Sequence, residues 1–440
     1  MTMTTTYGRP LWAEVSRTRL AANFGHLRQA VRLQGGAQAD VLAVVKADAY
    51  GHGAGLCAPV LAAAGARWLG VTSVEEGVLV RTACSTAEHQ TRVPPPPILA
   101  PRILVMCGLW QGEAGTAVTH SLTPVVWEMF HLDALEQEAR RRGLRPSSLA
   151  VHLEIDTGMA RQGVAPGPLL ERMVSRFDRD SRLRLEGVLT HFASPEMVDS
   201  SRSGAQMASF RRALATVAEH GLRPEWIHAG NSSTVDAGVE FAEVAYLAGA
   251  AEARPMARPG LALYGYSLPL VRIGERDGGS WPTQVRDSLQ PVLAWKTRIV
   301  SMREAGAGST VGYGGTFVAK RATRLALLPV GYADGLRREL SSRQAPGAET
   351  PGRGLSDSEA KASGEVLIRG QRAPIAGRVS MDLTVVDVSA IPEAAIGDEA
   401  VLIGEQGADR ITAEDHARLA GTIPYEILCG ISNRVPRVAL

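Results

Sequence analysis

The chain has 440 residues, 45% of them hydrophobic and 21% charged, enough for two domains with a core each. A net charge of +2 makes no electrostatic case for nucleic acid or an anionic membrane surface, and no apolar run is long enough to span a bilayer. The opening M-T-M-T-T-T-Y-G-R-P lacks the apolar core of a signal peptide. Cys57, Cys84, Cys107 and Cys429 have neither disulfide-framework nor metal-site spacing, which suits a reducing cytoplasm; Cys57 and Cys429 read as buried thiols.

In chain order, Leu20, Phe24, Leu27 and Val31 recur at helical spacing, and Val41 to Val45 reads as a strand. A helix over Ala54 to Ala64 leads to a strand at Trp68 to Val71. Ile98 to Val105 reads as a strand and Val126 to Arg142 as a helix. Further strands are expected at Leu149 to Ile155, Leu185 to Leu189 and Trp226 to His228, with a helix from Ala205 to His220. This alternation predicts parallel β with crossover helices. Lys46, Thr72, Asp156, His191 and Asn231 close successive strands, and polar strand ends gathered on one face are how a (β/α)8 TIM-type barrel builds a site. A doubly wound open sheet is the runner-up, but no G-x-G-x-x-G follows the first strand. Past Gln290, short alternating runs at Leu293 to Val300, Arg324 to Val330, Glu365 to Ile368, Leu383 to Val388 and Glu399 to Ile403 predict a mainly β C-terminal domain. The expected division is a barrel over 10–270 and a β domain over 288–440. Thr82 to Pro97, Arg272 to Asp287 and Ser341 to Gly364 read as surface insertions, the last disordered.

The stretch A-V-V-K-A-D-A-Y-G-H-G, Ala43 to Gly53, carries the most chemistry. A buried strand delivers Lys46 to a polar turn. A lysine at such a lip loses part of its solvation and gains nucleophilicity, the condition for Schiff-base chemistry with carbonyl compounds. A lysine that merely snorkels at a strand end fits the same pattern. Asn231 and Ser232 in H-A-G-N-S-S-T suit a phosphate at a helix start, or a plain helix cap. In A-R-P-G-L-A-L-Y-G, Gly260 allows close backbone approach to a ligand, and Arg258 before Pro259 is expected to be extended. Tyr313 in V-G-Y-G-G-T-F lies among glycines, a poor design for a core tyrosine and a good one for an exposed phenol. No two of the ten histidines form a metal pair, so no metal is expected.

The lysine string resembles the pyridoxal-phosphate motif of the alanine racemase family, and the resemblance runs from about Trp12 to Arg437. It implies pyridoxal 5'-phosphate bound at Lys46, with Tyr50, Asn231, Ser232, Gly260 and Leu261 about its phosphate. His191 would pack on the ring and Arg258 face the pyridine nitrogen. Arg161 would position the substrate carboxylate. Tyr332, Met381 and Asp382 match strings lining the substrate entrance. Lys46 and Tyr313 would be the two catalytic bases, acting from opposite sides of the substrate α-carbon, with Tyr313 supplied by the second subunit of a head-to-tail homodimer. The implied reaction interconverts L- and D-alanine for peptidoglycan precursors. Two departures stand out. Glu154 lies where the family commonly has a carbamylated lysine, and its reach to Arg161 is open. Asn433 in C-G-I-S-N-R-V-P-R replaces a usual tyrosine, which implies a roomier, more polar site and activity on serine too. Rival readings are a pyridoxal-phosphate amino-acid decarboxylase of the same architecture, disfavoured by Arg258, and a non-catalytic carrier, disfavoured by the second domain.

Overall fold

In the computed structural model, residues 8–90, 100–198, 200–272, 281–342 and 363–440 are described, without the side chains of 87–90 and 272. The chain forms two compact units, Thr18–Gln290 and Pro291–Leu440, and the residues up to Arg17 belong to the second.

The first unit is a closed barrel of eight parallel strands. Around the barrel they run Asp40–Val44, Trp68–Val71, Arg102–Val105, Leu122–Val126, Leu149–Glu154, Leu183–Leu189, Trp226–His228 and Arg254–Ala257, which closes on the first. Helices Arg17–Gly35, Ala54–Ala63, Val74–Gln90, Ala114–Thr119, Met129–Arg141, Pro168–Val174, Ser201–Glu219 and Val239–Ala250 alternate with the strands. The expected barrel is present, with two strands unforeseen. Leu122–Val126 precedes the helix expected from Val126, and Arg254–Ala257 closes the ring; each contains a proline, which removes a ladder donor and hides a strand. The expected insertion at Thr82 begins as helix, since Val74–Gln90 runs through it; residues 91–97 lie outside the described residues. The segment from Arg272 is tied down at its far end, where Asp236 Oδ1 accepts the backbone N–H groups of Gln284, Val285 and Arg286 at 3.0–3.1 Å. The expected disorder of Ser341 to Gly364 falls mostly on residues 343–362, outside the described residues.

The second unit is mainly β. Its largest sheet runs Gln371–Pro374, Glu365–Ile368, Glu399–Gln406, Leu293–Arg298, Leu11–Val15 and Arg437–Ala439, with Asp409–Ile411 paired to Glu399–Gln406. A second sheet joins Ser301–Ala305, Thr323–Leu328 and Thr384–Asp387. Leu11–Val15 is antiparallel to Leu293–Arg298 and parallel to Arg437–Ala439. The expected start of the barrel at residue 10 is thus corrected: the first strand is a strand of the β unit, and the barrel unit begins at Thr18. Cys57 is buried as expected, but Cys429 is exposed, on the face of helix Pro424–Gly430 opposite the buried Ile427 and Leu428. Among the described residues no helix is long and apolar enough to cross a membrane.

Candidate active site

Strand Asp40–Val44 is buried throughout, and Val45 continues it by donating to the Gly70 carbonyl at 2.8 Å. Past Lys46 the backbone reverses hand. Ala47, Asp48, Ala49 and Tyr50 have φ of 52, 51, 56 and 53°, one turn of left-handed helix closed by the Gly51 N–H on the Ala47 carbonyl at 3.0 Å. Each non-glycine residue in that conformation costs roughly 1–2 kcal/mol, so the turn stores several kcal/mol that other contacts must offset. Asp48 Oδ1 accepts the Ala54 N–H at 2.6 Å, and Glu76 Oε1 accepts the Ala47 N–H at 2.7 Å. The turn leaves Lys46 half-buried at the lip and buries Tyr50 against Tyr264, ring centroids 5.1 Å apart. A Cβ at position 260 would overlap the Tyr50 hydroxyl, so only glycine lets that backbone and the phenol meet.

Ser232 lies beside them. Its Oγ accepts the N–H groups of Gly260 and Ala262 at 3.1 and 3.0 Å, and Leu261 sits between. Asn231 has the cap role: its Oδ1 accepts the N–H groups of Ser233 and Thr234 at 3.0 and 3.3 Å. Tyr50, Ser232, Gly260 and Leu261 thus converge from three segments, with the Tyr50 hydroxyl seated against the Gly260 backbone and the Ser232 hydroxyl beside it, a polar group of the kind that holds a phosphate. These residues fit pyridoxal phosphate.

Arg258 is only 6% exposed. It donates to the Thr190 carbonyl at 2.6 Å and to His228 Nδ1 at 3.2 Å, with His191 Nδ1 at 3.4 Å. Burial lowers its pKa to about 10, with the Glu154 carboxylate opposing. Since His228 Nδ1 accepts, its Nε2 carries the proton and faces His152 Nδ1 at 2.8 Å; His152 Nε2 then faces Glu186 Oε2 at 3.3 Å. The chain of groups ends where Glu186 accepts from Arg102 and Arg184, each at 2.6 Å. Burial works against the Glu186 carboxylate, but hydrogen bonds from His152 and Arg102 hold it below the usual carboxylate range. From Arg258 through the two histidines each donor points toward Glu186, where the donors of Arg102 and Arg184 meet it from the other end. Burial pushes His228 and His152 toward the neutral form and holds His191 at about 3, helped in the last case by the positive charges of Arg258, Arg161 and Lys46.

Segment 156–163 forms a loop pinned at its neck by the Ile155–Val164 bridge, with Asp156 Oδ1 capping the N–H groups of Gly158, Met159 and Ala160. Glu154, buried at the strand end, accepts from Gln162 Nε2 at 2.6 Å rather than from Arg161. Gln162 also donates to the Met106 carbonyl at 3.0 Å. Arg161 is exposed, and it acts on Glu154 only through its charge, after burial, Gln162 and Arg258.

The β unit gathers its own set. The buried Asp334 accepts from Arg9 and from Gly331 N–H (3.0 Å) and lies 3.4 Å from Arg434, whose other edge holds Asp382 at 2.6 Å. Tyr332 N–H donates to the Ser380 carbonyl and Ala333 N–H to the Met381 carbonyl, both at 3.0 Å. Asn433 adjoins Arg434, so Tyr332, Met381, Asp382 and Asn433 occupy one corner. Tyr313 stands 71% exposed on a hairpin between Thr310–Val311 and Phe317–Val318, whose Gly312 packs on the Arg378 backbone.

Sequence reasoning passed over Glu76, Gln162, Arg378 and the series His228, His152 and Glu186. The last two had a signal: V-H-L-E and L-E-G-V each place a polar residue inside a strand otherwise read as continuously apolar.

The model of the alanine racemase N-terminal domain matches residues 15–268, and that of the alanine racemase C-terminal domain matches 292–439. An alanine racemase of Symbiobacterium thermophilum is 37% identical over 431 residues, 98% of this chain and 97% of its own. One from Halothermothrix orenii is 35% identical over 429 residues, 98% and 96% of the two chains. The solved alanine racemase of Streptomyces coelicolor A3(2) superposes with a TM-score of 0.78 at 34% identity, covering 98% of both chains. That of Bacillus anthracis, solved with bound L-Ala-P, gives 0.76 at 26% identity, over 99% of this chain and 96% of its own.

The neutral, buried histidines fix the sign of the pH response. His191 (about 3), His131 (about 4) and His416 (about 4) lie below the ordinary 6.5 because burial disfavours their charge. Between pH 6.5 and 4 the unfolded chain therefore binds protons that the folded chain does not. Stability falls as pH drops through that window, by up to about 1.4 kcal/mol per pH unit for each such histidine. Urea unfolding at pH 7 and pH 5 checks this: the midpoint drops on acidification, and His191→Asn flattens the dependence.

Proposed function

Since the chain belongs to the alanine racemase family, we propose that it interconverts L- and D-alanine with pyridoxal 5'-phosphate held at Lys46, and that it also racemises serine. The observation that carries this reading is the left-handed turn, which sets Lys46 at the lip and Tyr50 against Gly260. Lys46 holds the cofactor covalently through its amine. Tyr50, Ser232, Gly260 and Leu261 hold its phosphate, with Asn231 fixing the helix start at Ser232. His191 packs on the ring and Arg258 meets the ring nitrogen. When bound, the cofactor withdraws electron density from the substrate α-carbon and so acidifies its hydrogen.

The chain's own groups do the rest. Arg258 keeps its proton, since a guanidinium gives it up far less readily than a carboxylic acid does. That moderates the electron withdrawal and suits an enzyme that returns a proton to the carbon it left, which favours a racemase over a decarboxylase. Lys46 Nζ takes or gives the α-proton on the side of the D-enantiomer. The Tyr313 hydroxyl serves the L-enantiomer from the second subunit of a head-to-tail homodimer. Arg161 binds the substrate carboxylate; Tyr332, Met381 and Asp382 border the entrance. The four free cysteines fit a cytoplasmic enzyme that supplies D-alanine for peptidoglycan precursors. No metal takes part in this scheme.

Borohydride reduction followed by peptide mapping tests the cofactor site: the pyridoxyl group is expected on Lys46, and its recovery on another lysine overturns the assignment. Incubation with L-alanine should yield D-alanine by chiral chromatography; an amine product identifies a decarboxylase, and no product a carrier.

Tyr313→Phe should slow turnover by about 10²-fold or more, the scale of a general acid or base. Loss of the α-proton from L-alanine should suffer more than loss from D-alanine, as read by deuterium exchange. Equal slowing in both directions counts against two bases.

Asn433 is smaller than the tyrosine usual at its position and both donates and accepts hydrogen bonds. Asn433→Tyr should lower kcat/KM for serine relative to alanine by about ten- to a hundred-fold, the range for one hydroxyl. An unchanged ratio removes Asn433 from substrate selection.

A further inference from the structure

The turn that presents Lys46 does not hold itself. Its own hydrogen bonds, Gly51 to Ala47 and Gly53 to Asp48, would form equally in a turn that had shifted as a body. Tyr50 packs its far end on Tyr264 and Gly260, and Asp48 holds it to Ala54; the tie at its start comes from the next β–α unit. The last ladder bond between strands Asp40–Val44 and Trp68–Val71 is Val45 N–H to the Gly70 carbonyl. Beyond it the strands part, and the N–H groups of Ala47 and Thr72 have no strand to pair with. Glu76 takes both: Oε1 accepts Ala47 N–H and Oε2 accepts Thr72 N–H, each at 2.7 Å.

Its place in the helix shows that this is not ordinary capping. Ser73 caps helix Val74–Gln90, its Oγ accepting the Glu76 N–H at 3.3 Å. A glutamate at that third helical position would ordinarily fold back onto the N–H of the cap residue itself. Glu76 instead reaches across to the neighbouring strand end, one oxygen to each strand. A carboxylate is favoured at a helix N-terminus, and hydrogen bonds that backbone N–H groups donate to it are charge-assisted.

We propose that Glu76 is a positioning residue for Lys46: its carboxylate clamps the splayed ends of the first two barrel strands, forces the chain into the left-handed turn at Ala47, and so fixes where the Lys46 amine emerges. The use of that amine rests on the cofactor assignment above; the clamp itself does not. Glu76→Gln isolates the effect. The amide oxygen can accept one N–H, but its NH2 group then opposes the other, so one strand end is released without loss of side-chain volume.

Two measurements on Glu76→Gln decide the matter, with Val80→Ala as control. Val80 is buried on the same helix and touches neither N–H, so its truncation loosens the helix alone. Amide hydrogen exchange, which needs no cofactor, should be about tenfold faster or more at Ala47 and Thr72 in Glu76→Gln, the scale of an unmade charge-assisted hydrogen bond. The rate at which the cofactor-stripped enzyme recaptures pyridoxal phosphate on Lys46, followed by absorbance, should fall by a similar factor. Val80→Ala should change neither by more than about twofold, even at an equal loss in Tm. If the Gln variant does not fold, Glu76→Asp, one methylene too short to span both strands, is read by the same criteria. Exchange and recapture within twofold of the parent in the Glu76 variant, or equal effects in Val80→Ala, overturn the proposal. A parent enzyme that does not bind pyridoxal phosphate on Lys46 sinks the cofactor assignment instead, and the exchange result still judges the clamp.

Discussion

A guanidinium buried at the mouth of the barrel is the constraint around which this site is arranged. Arg258 has lost nearly all its water, and an unpaired buried cation is among the costliest features a fold can carry. Among the described residues no carboxylate is hydrogen-bonded to it. It is satisfied by the Thr190 carbonyl and by His228, and its charge is balanced at a distance by Glu154. A direct carboxylate partner would have been cheaper for the fold, yet on the function proposed above it would occupy the face that Arg258 turns to the cofactor. Neutral histidines solve the problem differently. They accept from the guanidinium without bringing a full charge into the pocket, and through them the donor direction continues to Glu186 at the far end of the series. Gly187 belongs to the same solution, because a Cβ there would press into the His152 ring at 2.5 Å.

The strained turn at Lys46 obeys the same logic at the end of the neighbouring strand. Four consecutive left-handed residues without glycine persist only where surrounding contacts over-determine them. The side chains of Asp48, Glu76 and His52 all spend their acceptors or donors on backbone there. Three polar side chains of the A-D-A-Y-G-H-G and V-E-E segments thus serve the backbone geometry of the turn that carries Lys46.

The sequence reveals the barrel readily because its strands are short apolar runs ending in polar residues, and the strand-end positions Lys46, Asp156, His191 and Asn231 could be read in order. It hides the strands that contain Pro124 and Pro255, where propensity argues against a strand that buried neighbours nevertheless stabilise. It also hides the membership of Leu11–Val15, since an alternating strand at the front of the chain carries no mark of the partner it will find at Leu293–Arg298 and Arg437–Ala439. Of the site, residues whose chemistry is unusual for their local pattern were legible: a lysine after a β-branched run, a tyrosine among glycines, a glycine after proline. Residues that act by reaching another segment were not. Glu76 reads as one of two acidic residues in a first helical turn, and nothing local tells it from Glu75.

Glu154 shows how far a local reading can carry and where tertiary contact takes over. A carboxylate at that strand end was visible, and so was an arginine seven residues on. Which neighbour it would hold depended on the loop between them. Asp156 caps three consecutive N–H groups, and the Ile155–Val164 bridge shuts the neck, so the return path is fixed before any side chain chooses a partner. On that path Gln162 turns inward, where one amide nitrogen serves both Glu154 and the Met106 carbonyl, past the end of a strand two places round the barrel. Arg161 is left facing out, free to meet an anion rather than consumed by an internal pair. Burial pushes the Glu154 carboxyl up, and the Gln162 hydrogen bond and the charges of Arg258 and Arg161 oppose that shift. A direct Glu154–Arg161 pair would have drawn the arginine inward; a neutral glutamine between strand end and loop satisfies Glu154 and leaves Arg161 at the surface.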